Sequence, residues 1–121
     1  MLALLCAACT SIAADQRTFE GIEWRVTAIN AVPTPVYRIS FARGRVTGVI
    51  CNRFEAPYQV TRDVLQLNGF SNTERGCSNP EAQFEEWAFA ILRKPTRMNW
   101  QSERRLILGN RLGSIDLELV R

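Results

Sequence analysis

The chain has 121 residues, enough for one domain with a core of its own. Its hydrophobic share of 46% and charged share of 22% are ordinary for a globular protein. The net charge is +3, but all fifteen basic residues except Lys94 are arginines scattered among acids. The continuous basic stripe of a nucleic-acid-binding protein is therefore missing, and nucleic acid is not expected as a partner.

The first ten residues, MLALLCAACT, are apolar and give way to a polar stretch at 15–18. This start is too short for a membrane span and lacks the basic segment that opens a secretory signal. Within it, Cys6-Ala7-Ala8-Cys9 resembles a bacterial lipobox, which implies that Cys9 is lipidated and held at the outer membrane. We expect a truncated leader at 1–8 and a flexible tether at 9–18, with the lipid as the only membrane contact.

The leader also allows other interpretations. Cys6 stands where a lipobox usually has leucine, and an ordinary cleaved signal or an uncleaved tail are the alternatives to lipidation. The spacing Cys6-x-x-Cys9 matches a redox motif as well. Such a motif belongs to the strand-to-helix turn of a βαβ unit, however, and none follows it.

Beyond the leader the chain has two cysteines, Cys51 and Cys77, and no histidine. A zinc site would have to use carboxylates, which structural zinc sites rarely do. A disulfide is the simpler interpretation, and it indicates an oxidising compartment, the periplasmic side of the cell envelope. A disulfide that closes the loop between Cys51 and Cys77 should stabilise the domain by roughly 3 to 4 kcal/mol in the chain-entropy model. Two buried free thiols are the alternative.

Alternation of apolar and polar residues predicts a series of short strands in the first part of the domain. These are Glu23–Ala28, Tyr37–Phe41, Arg45–Ile50, Tyr58–Val60, Val64–Leu67 and an extended piece at Phe70–Thr73. Pro33 and Pro35 predict a break after the first strand, because proline cannot donate to a sheet ladder. Residues 51–57 are predicted to form an irregular corner.

The spacing of the apolar residues then changes from alternation to helical spacing, which predicts one amphipathic helix at about residues 79–93. Ser78-Asn79-Pro80-Glu81 has the pattern of a capping box with proline in the first turn, and Pro95 ends the helix. The predicted apolar stripe consists of Phe84, Trp87, Ala88, Ile91 and Leu92. Three strands follow, at Arg97–Gln101, Arg105–Leu108 and Ser114–Val120. Many short antiparallel strands with one helix predict the α+β class.

Motifs along the whole domain resemble one protein family. They are Gly21-Ile22-Glu23-Trp24, Cys51-Asn52-Arg53-Phe54 with Tyr58, Thr73 to Cys77, Glu81 with Phe84 in the helix, and the leucine-rich Arg105–Leu108 and Leu117–Leu119. In this order and spacing they resemble a META domain of the HslJ type, covering residues 19–121. Ile50, Ala56 and Arg75-Gly76 depart from the family pattern.

The resemblance implies a small cracked antiparallel β-barrel, or a strongly curved sheet, packed with one helix. It also implies a bridged cysteine pair. Members of the family are often envelope lipoproteins linked to antibiotic tolerance, motility or virulence, so a role in envelope stress is expected. The family has no general molecular activity from which a reaction could be inferred.

The sequence contains little that could perform catalysis. Histidine, the commonest general base, is absent, and adjacent residues such as Glu85 and Glu86 point in different directions on a helix. No phosphate-binding glycine loop or calcium loop occurs. We therefore expect a protein that is not an enzyme and has no catalytic residue, cofactor or metal site.

Binding is the expected activity, and two hypotheses remain. Most aromatic residues should lie in the core, but Phe89 lies off the predicted helix stripe and Trp100 lies near a hairpin, so both are candidates for an exposed contact with an envelope protein. The alternative is a carrier that holds an acyl chain or another apolar ligand inside the barrel. An open cavity lined by Val26, Ile39, Leu67 and Leu117 would favour the carrier.

Overall fold

The computed structural model describes residues 20–120, which form nine strands and one helix. In chain order these are β1 (Ile22–Ile29), β2 (Val32–Ala42), β3 (Arg45–Val49), β4 (Arg53–Thr61), β5 (Val64–Leu67), β6 (Ser71–Asn72), α1 (Glu81–Leu92), β7 (Thr96–Ser102), β8 (Arg105–Asn110) and β9 (Gly113–Leu119). The predicted leader, the tether and Cys9 lie outside the described residues. Between residues 20 and 120 no helix has both the length and the apolar character needed to cross a membrane.

Eight of the strands close into an antiparallel barrel. The order around the sheet is β3-β2-β1-β9-β8-β7-β5-β4, and β4 pairs back onto β3 over the whole length of that strand. The ladder between β5 and β7 is shorter, with Val64 opposite Arg97 and Leu65 opposite Thr96. β6 pairs with the first residues of β4 beside β5. The predicted barrel with one helix is thus confirmed, whereas a crack or an open curved sheet is not.

Alternating residues of the strands fill the barrel, as the sequence pattern predicted. Trp24 and Val26 of β1 are buried, as are Ile115 and Leu117 of β9, and Val26 lies opposite Leu117 in the ladder. The residues between them face outward, where Arg25 forms a 3.0 Å salt bridge with Glu118. Burial of one face of every strand fixes the register, because a slip by one residue would bring these charges inside.

Helix α1 closes the barrel interior. Its buried residues pack against β1 and β9, and Ala88 and Leu92 line, together with Val26, Ile39 and Phe54, an internal cavity of only about 10 Å³. A single water needs about that volume. The interior is therefore filled by the side chains of the chain itself.

The helix differs from the sequence prediction in its start and in its buried face. It begins at Glu81 after Pro80, whose position makes no side-chain capping hydrogen bond, so the predicted capping box is wrong. Glu85 and Phe89 are buried, whereas Trp87 is only half-buried at the flank. The predicted stripe included Trp87 and left out Glu85 and Phe89, because it assumed that a glutamate would be exposed.

The proline positions also differ from the prediction. Strand β2 begins at Val32 and runs through Pro33 and Pro35, and β4 runs through Pro57. β3 pairs with β2 only from Arg38 onward, so the first part of β2 has one edge without a ladder, where a residue lacking an N–H group is tolerated. The irregular corner predicted for 51–57 is consequently limited to the turn between β3 and β4.

Candidate functional site

A disulfide joins Cys51, in the turn after β3, to Cys77, in the segment before α1. Their Cα atoms are 6.2 Å apart, within the usual range for a disulfide, and the bridge spans 26 residues of chain. The predicted pairing of Cys51 with Cys77 is confirmed. The bridge ties the barrel wall to the start of the helix.

The buried carboxylate of Glu85 lies against this disulfide. Its Oε2 accepts hydrogen bonds from the backbone N–H groups of Cys51 (3.1 Å) and Asn52 (2.5 Å), and its Oε1 accepts one from Asn52 Nδ2 (2.8 Å). Oε1 also lies 3.9 Å from the sulfur of Cys77. A buried charge needs such donors, and three of them make Glu85 the group that joins α1 to the turn.

Asn52 extends this network to the segment after β6. Its Oδ1 accepts hydrogen bonds from the hydroxyl of Thr73 (3.0 Å) and the backbone N–H of Arg75 (2.8 Å). Its Nδ2 also donates to the backbone carbonyl of Arg75 at 3.2 Å. We call Cys51, Asn52, Cys77 and Glu85 the disulfide corner. Every polar atom of the Asn52 side chain is used there, which is typical of a structural network.

A cavity of about 500 Å³ lies over the disulfide corner, lined in part by Thr73, Cys77, Glu86 and Arg93. The ligand-capable atoms of Cys51, Cys77 and Glu85 lie within 4.8 Å of one another. Metal ions bind thiolates, however, and the two sulfurs are bonded to each other. The corner as it stands does not fit a metal ion.

Sequence analysis missed Glu85 and Asn52 as members of one site. Glu85 was considered only as one of two adjacent helix carboxylates that point in different directions, and Asn52 as part of a family motif. The available signal was the spacing of Glu85, Phe89 and Leu92, which lie on one helix face. A glutamate on a buried face requires donors, and the turn beside a disulfide has unpaired N–H groups.

The two residues predicted as exposed contacts have different surroundings. Phe89 is 6% exposed, with its ring 5.0 Å from that of Phe70 and 5.5 Å from that of Phe54, so its interpretation as a surface contact is wrong. Trp100 is half-buried and its ring centroid lies 5.8 Å from that of Trp24. Trp100 faces the same side of β7 as the buried Thr96 and Met98 and packs against the core, so only part of its ring is accessible.

Tyr37 lies buried beside the helix, and its hydroxyl has no hydrogen-bond partner among residues 20–120. Burial raises the pKa of the Tyr37 phenol above its ordinary value, and the nearby carboxylates of Glu81 and Glu85 raise it further. The phenol therefore stays neutral over a wide pH range and acts as a packing group.

The second candidate region is a cavity of about 640 Å³ at the junction of α1 with the β8–β9 hairpin. It is lined by residues 94–97 and 109–112 together with Val64, and we call it the basic pocket. Three of its lining residues are cationic, and none is acidic. The buried hydroxyl of Thr96 in its wall has no hydrogen-bond partner within the described part of the chain.

Comparison with known proteins identifies the fold of the chain. The family model described as META domain matches residues 17–117. An NMR structure of a protein has a TM-score of 0.75 at 18% sequence identity, covering 85% of this chain and 92% of the other. An NMR structure of a protein from Burkholderia xenovorans has a TM-score of 0.70 at 17% identity, covering 89% and 87%. Such identities show a shared fold alone, and no curated protein matches the chain.

Proposed function

The chain belongs to the META domain family, and we propose that it is a non-enzymatic protein of the cell envelope. In this proposal it faces the periplasm, is held at the outer membrane by a lipid on Cys9, and binds another envelope protein as an accessory module in the response to envelope stress. The binding surface is the outside of the barrel.

The observation that carries the proposal is the filled barrel interior. Its internal cavity of about 10 Å³ has no room for an acyl chain, and Val26, Ile39, Leu67 and Leu117 are all buried members of the core. The hypothesis of a carrier with its ligand inside the barrel is therefore not supported. A binding function has to use the outer surface.

The outer surface has exposed apolar residues on one side of the barrel. Val36 is 58% exposed in β2 and Val49 is 47% exposed in β3, which is next to β2 in the sheet. Pro33 and Pro35 disfavour addition of a partner strand to the free edge of β2, because they lack N–H groups. A partner would therefore contact side chains rather than extend the sheet.

Support for the location comes from the disulfide, since such bridges persist in oxidising compartments. Support for a non-enzymatic role comes from two features. Histidine, the commonest general base, is absent from the sequence, and both carboxylate oxygens of Glu85 are already occupied by N–H donors of the fold.

The binding proposal can be tested by photo-cross-linking in bacterial cells that produce the full chain. A photoreactive residue at Val36 or Val49 should give a discrete adduct of one partner, identified by mass spectrometry. The same residue at the exposed Gln66 of β5 is the matched control and should give none. Absence of adducts at both valine positions, or equal adducts at Gln66, would contradict the proposal.

The location can be tested separately by fractionating the same cells. The wild-type chain should be found in the outer-membrane fraction, with an intact mass that includes acyl chains. Cys9→Ala should remove both the added mass and the membrane association. A wild-type chain that is unmodified and not membrane-associated would refute the anchor and leave the binding proposal to its own test.

A further inference from the structure

We propose that the basic pocket binds a small amphiphile with one alkyl chain and an anionic headgroup. This goes beyond the proposed partner protein and uses a different surface. The pocket volume of about 640 Å³ falls within the range of small-molecule sites in proteins. It lies outside the filled barrel, so a ligand can enter without unfolding the core.

The apolar part of the pocket arises from a missing side chain. Val64, Arg97, Gly109 and Ser114 are successive cross-strand neighbours on β5, β7, β8 and β9. Gly109 has no side chain, so the row has a gap next to Arg97. A Cβ atom at Gly109 would lie 3.6 Å from the nearest backbone atom, an ordinary contact, so packing does not require glycine there.

Apolar side chains border this gap. Val64 and Pro95 line the pocket on one side, and Leu112 lines it from the β8–β9 turn. Leu112 is 54% exposed, which leaves an apolar surface that an alkyl chain could cover. The walls thus match the apolar part of the proposed ligand.

The charged part of the pocket is complementary to an anion. Lys94, Arg97 and Arg111 line it. Arg97 forms a salt bridge with Asp63 at 2.8 Å, but Lys94 and Arg111 have no salt bridge among residues 20–120. Two cations beside an apolar gap, with no salt-bridge partner in the described part of the chain, could receive the headgroup of an anionic amphiphile.

Carbonyl groups at and just beyond the end of helix α1 are already hydrogen-bonded within the chain. The carbonyl oxygen of Ile91 accepts hydrogen bonds from Asn110 Nδ2 (3.0 Å) and from the backbone N–H of Lys94 (3.2 Å). Asn110 Nδ2 also binds the carbonyl of Pro95 at 3.2 Å. Hydrogen bonding of these two carbonyl groups reduces their repulsion of an anion, and the cations of the pocket oppose what remains.

The other large cavity has the opposite character. The cavity over the disulfide corner is lined by the acids Glu74, Glu85 and Glu86 as well as by arginines. An anionic headgroup would be repelled by these carboxylates. Of the two large cavities described, the basic pocket alone combines apolar walls with uncompensated positive charge.

The proposal is tested by titrating the full chain with decanoate, decyl phosphate and the uncharged decanol, each below its micellar concentration. NMR amide shifts should move at 94–97 and 109–112, and calorimetry should give saturable binding of at least one anion. If decanoate binds more tightly, the preferred headgroup is a carboxylate, and if decyl phosphate does, it is a phosphate. Each methylene removed from the chain should weaken binding about fourfold, which corresponds to about 0.8 kcal/mol per buried CH₂.

Two variants separate the charge from the walls. Lys94→Gln with Arg111→Gln should weaken anion binding roughly tenfold and remove its salt dependence, with little change for decanol. Gly109→Val should weaken binding of all three probes, because its side chain enters the gap. Arg105 is an exposed arginine of β8, the strand that contains Gly109, and it lies outside the pocket. Arg105→Gln is therefore the matched control and should bind as the wild type does.

Three results would overturn the proposal. One is the absence of saturable binding by either anion, and another is equal binding by the charge variant and the wild type. The third is binding to vesicles of anionic phospholipid through Lys94 and Arg111 without binding of monomeric amphiphile, which would indicate a membrane-facing surface instead. If Gly109→Val does not fold, the double charge variant still decides the outcome, since both of its changes are at exposed positions.

Discussion

The disulfide corner and the basic pocket lie at opposite ends of helix α1 and differ in how their charges are compensated. At the start of the helix, Glu85 accepts three N–H hydrogen bonds beside a covalent bridge. Beyond its end, Lys94 and Arg111 have no salt bridge within the described residues. A fully compensated network stabilises a fold, whereas uncompensated charge beside apolar walls is available to a ligand. We therefore expect changes in the corner to alter stability and changes in the pocket to alter binding.

The largest expected effect is at Phe89, which packs beside the corner. Phe89→Ala should lower the free energy of unfolding by about 3 to 5 kcal/mol, because it leaves a cavity beside the stacked rings of Phe54 and Phe70. Trp87→Ala should cost clearly less, since Trp87 is only half-buried. Urea unfolding of both variants measures the difference. A larger loss for Trp87 would mean that the helix presents the face predicted from sequence.

Breaking the disulfide should have the next largest effect. The Cys51→Ala, Cys77→Ala double variant should lose roughly 3 to 4 kcal/mol, because the unfolded chain regains the entropy of the closed loop. The same loss should follow reduction of the wild type, measured by urea unfolding with and without a reductant. A double variant as stable as the wild type would show that the corner is held by its hydrogen bonds alone.

Glu85 should contribute independently of the bridge. Glu85→Gln should cost about 2 kcal/mol, because the amide replaces a charged acceptor and turns a donor toward the N–H groups of Asn52. Glu86→Gln on the exposed neighbouring position is the matched control and should change stability by less than about 0.5 kcal/mol. Equal effects of the two substitutions would contradict the role assigned to Glu85.

The free energy of unfolding should depend on pH through Tyr37, which lies buried beside helix α1. Its pKa is raised in the folded state, so the folded chain holds the phenolic proton at pH values where the unfolded chain has released it. Stability from this group is therefore complete below the unfolded pKa of about 10 and is lost as the pH rises through the folded pKa, by up to about 1.4 kcal/mol per pH unit. Urea unfolding between pH 9 and 11 should show this decline.

Tyr37→Phe should flatten this part of the profile, since phenylalanine does not titrate. It should cost little stability at pH 7, because the lost hydroxyl has no hydrogen-bond partner among the described residues. An unchanged decline above pH 10 in this variant would assign the effect to other groups.

Much of the fold could be predicted from the sequence because alternation reports burial. The burial of Trp24, Val26, Ile115 and Leu117 follows directly from their spacing. Closure of the barrel could not be predicted, since it depends on the pairing of β3 with β4 and of β5 with β7 rather than on any local pattern. The strand through Pro33 was missed for the same reason: only the sheet order shows that its edge lacks a neighbour.

The candidate sites were predicted unevenly. The pairing of Cys51 with Cys77 could be inferred because so few alternatives existed in the sequence. The burial of Glu85 was missed because polarity was taken as a sign of exposure, and its donors lie more than 30 residues away in the chain. The basic pocket was also missed, since it depends on Gly109 lying next to Arg97 across two strands.

The most direct test of this contrast is urea unfolding of the full chain at increasing concentrations of the anion that binds best. At 100 times its Kd, the anion should raise the free energy of unfolding by about 2.7 kcal/mol for the wild type and for Glu85→Gln, although the latter starts lower. The Lys94→Gln, Arg111→Gln variant should start within about 0.5 kcal/mol of the wild type. At the same anion concentration it should gain only about 1.4 kcal/mol, because its Kd is roughly tenfold higher. The separation of a stabilising corner from a binding pocket would be contradicted if the anion no longer stabilised Glu85→Gln. It would also be contradicted if the anion stabilised the charge variant as much as the wild type.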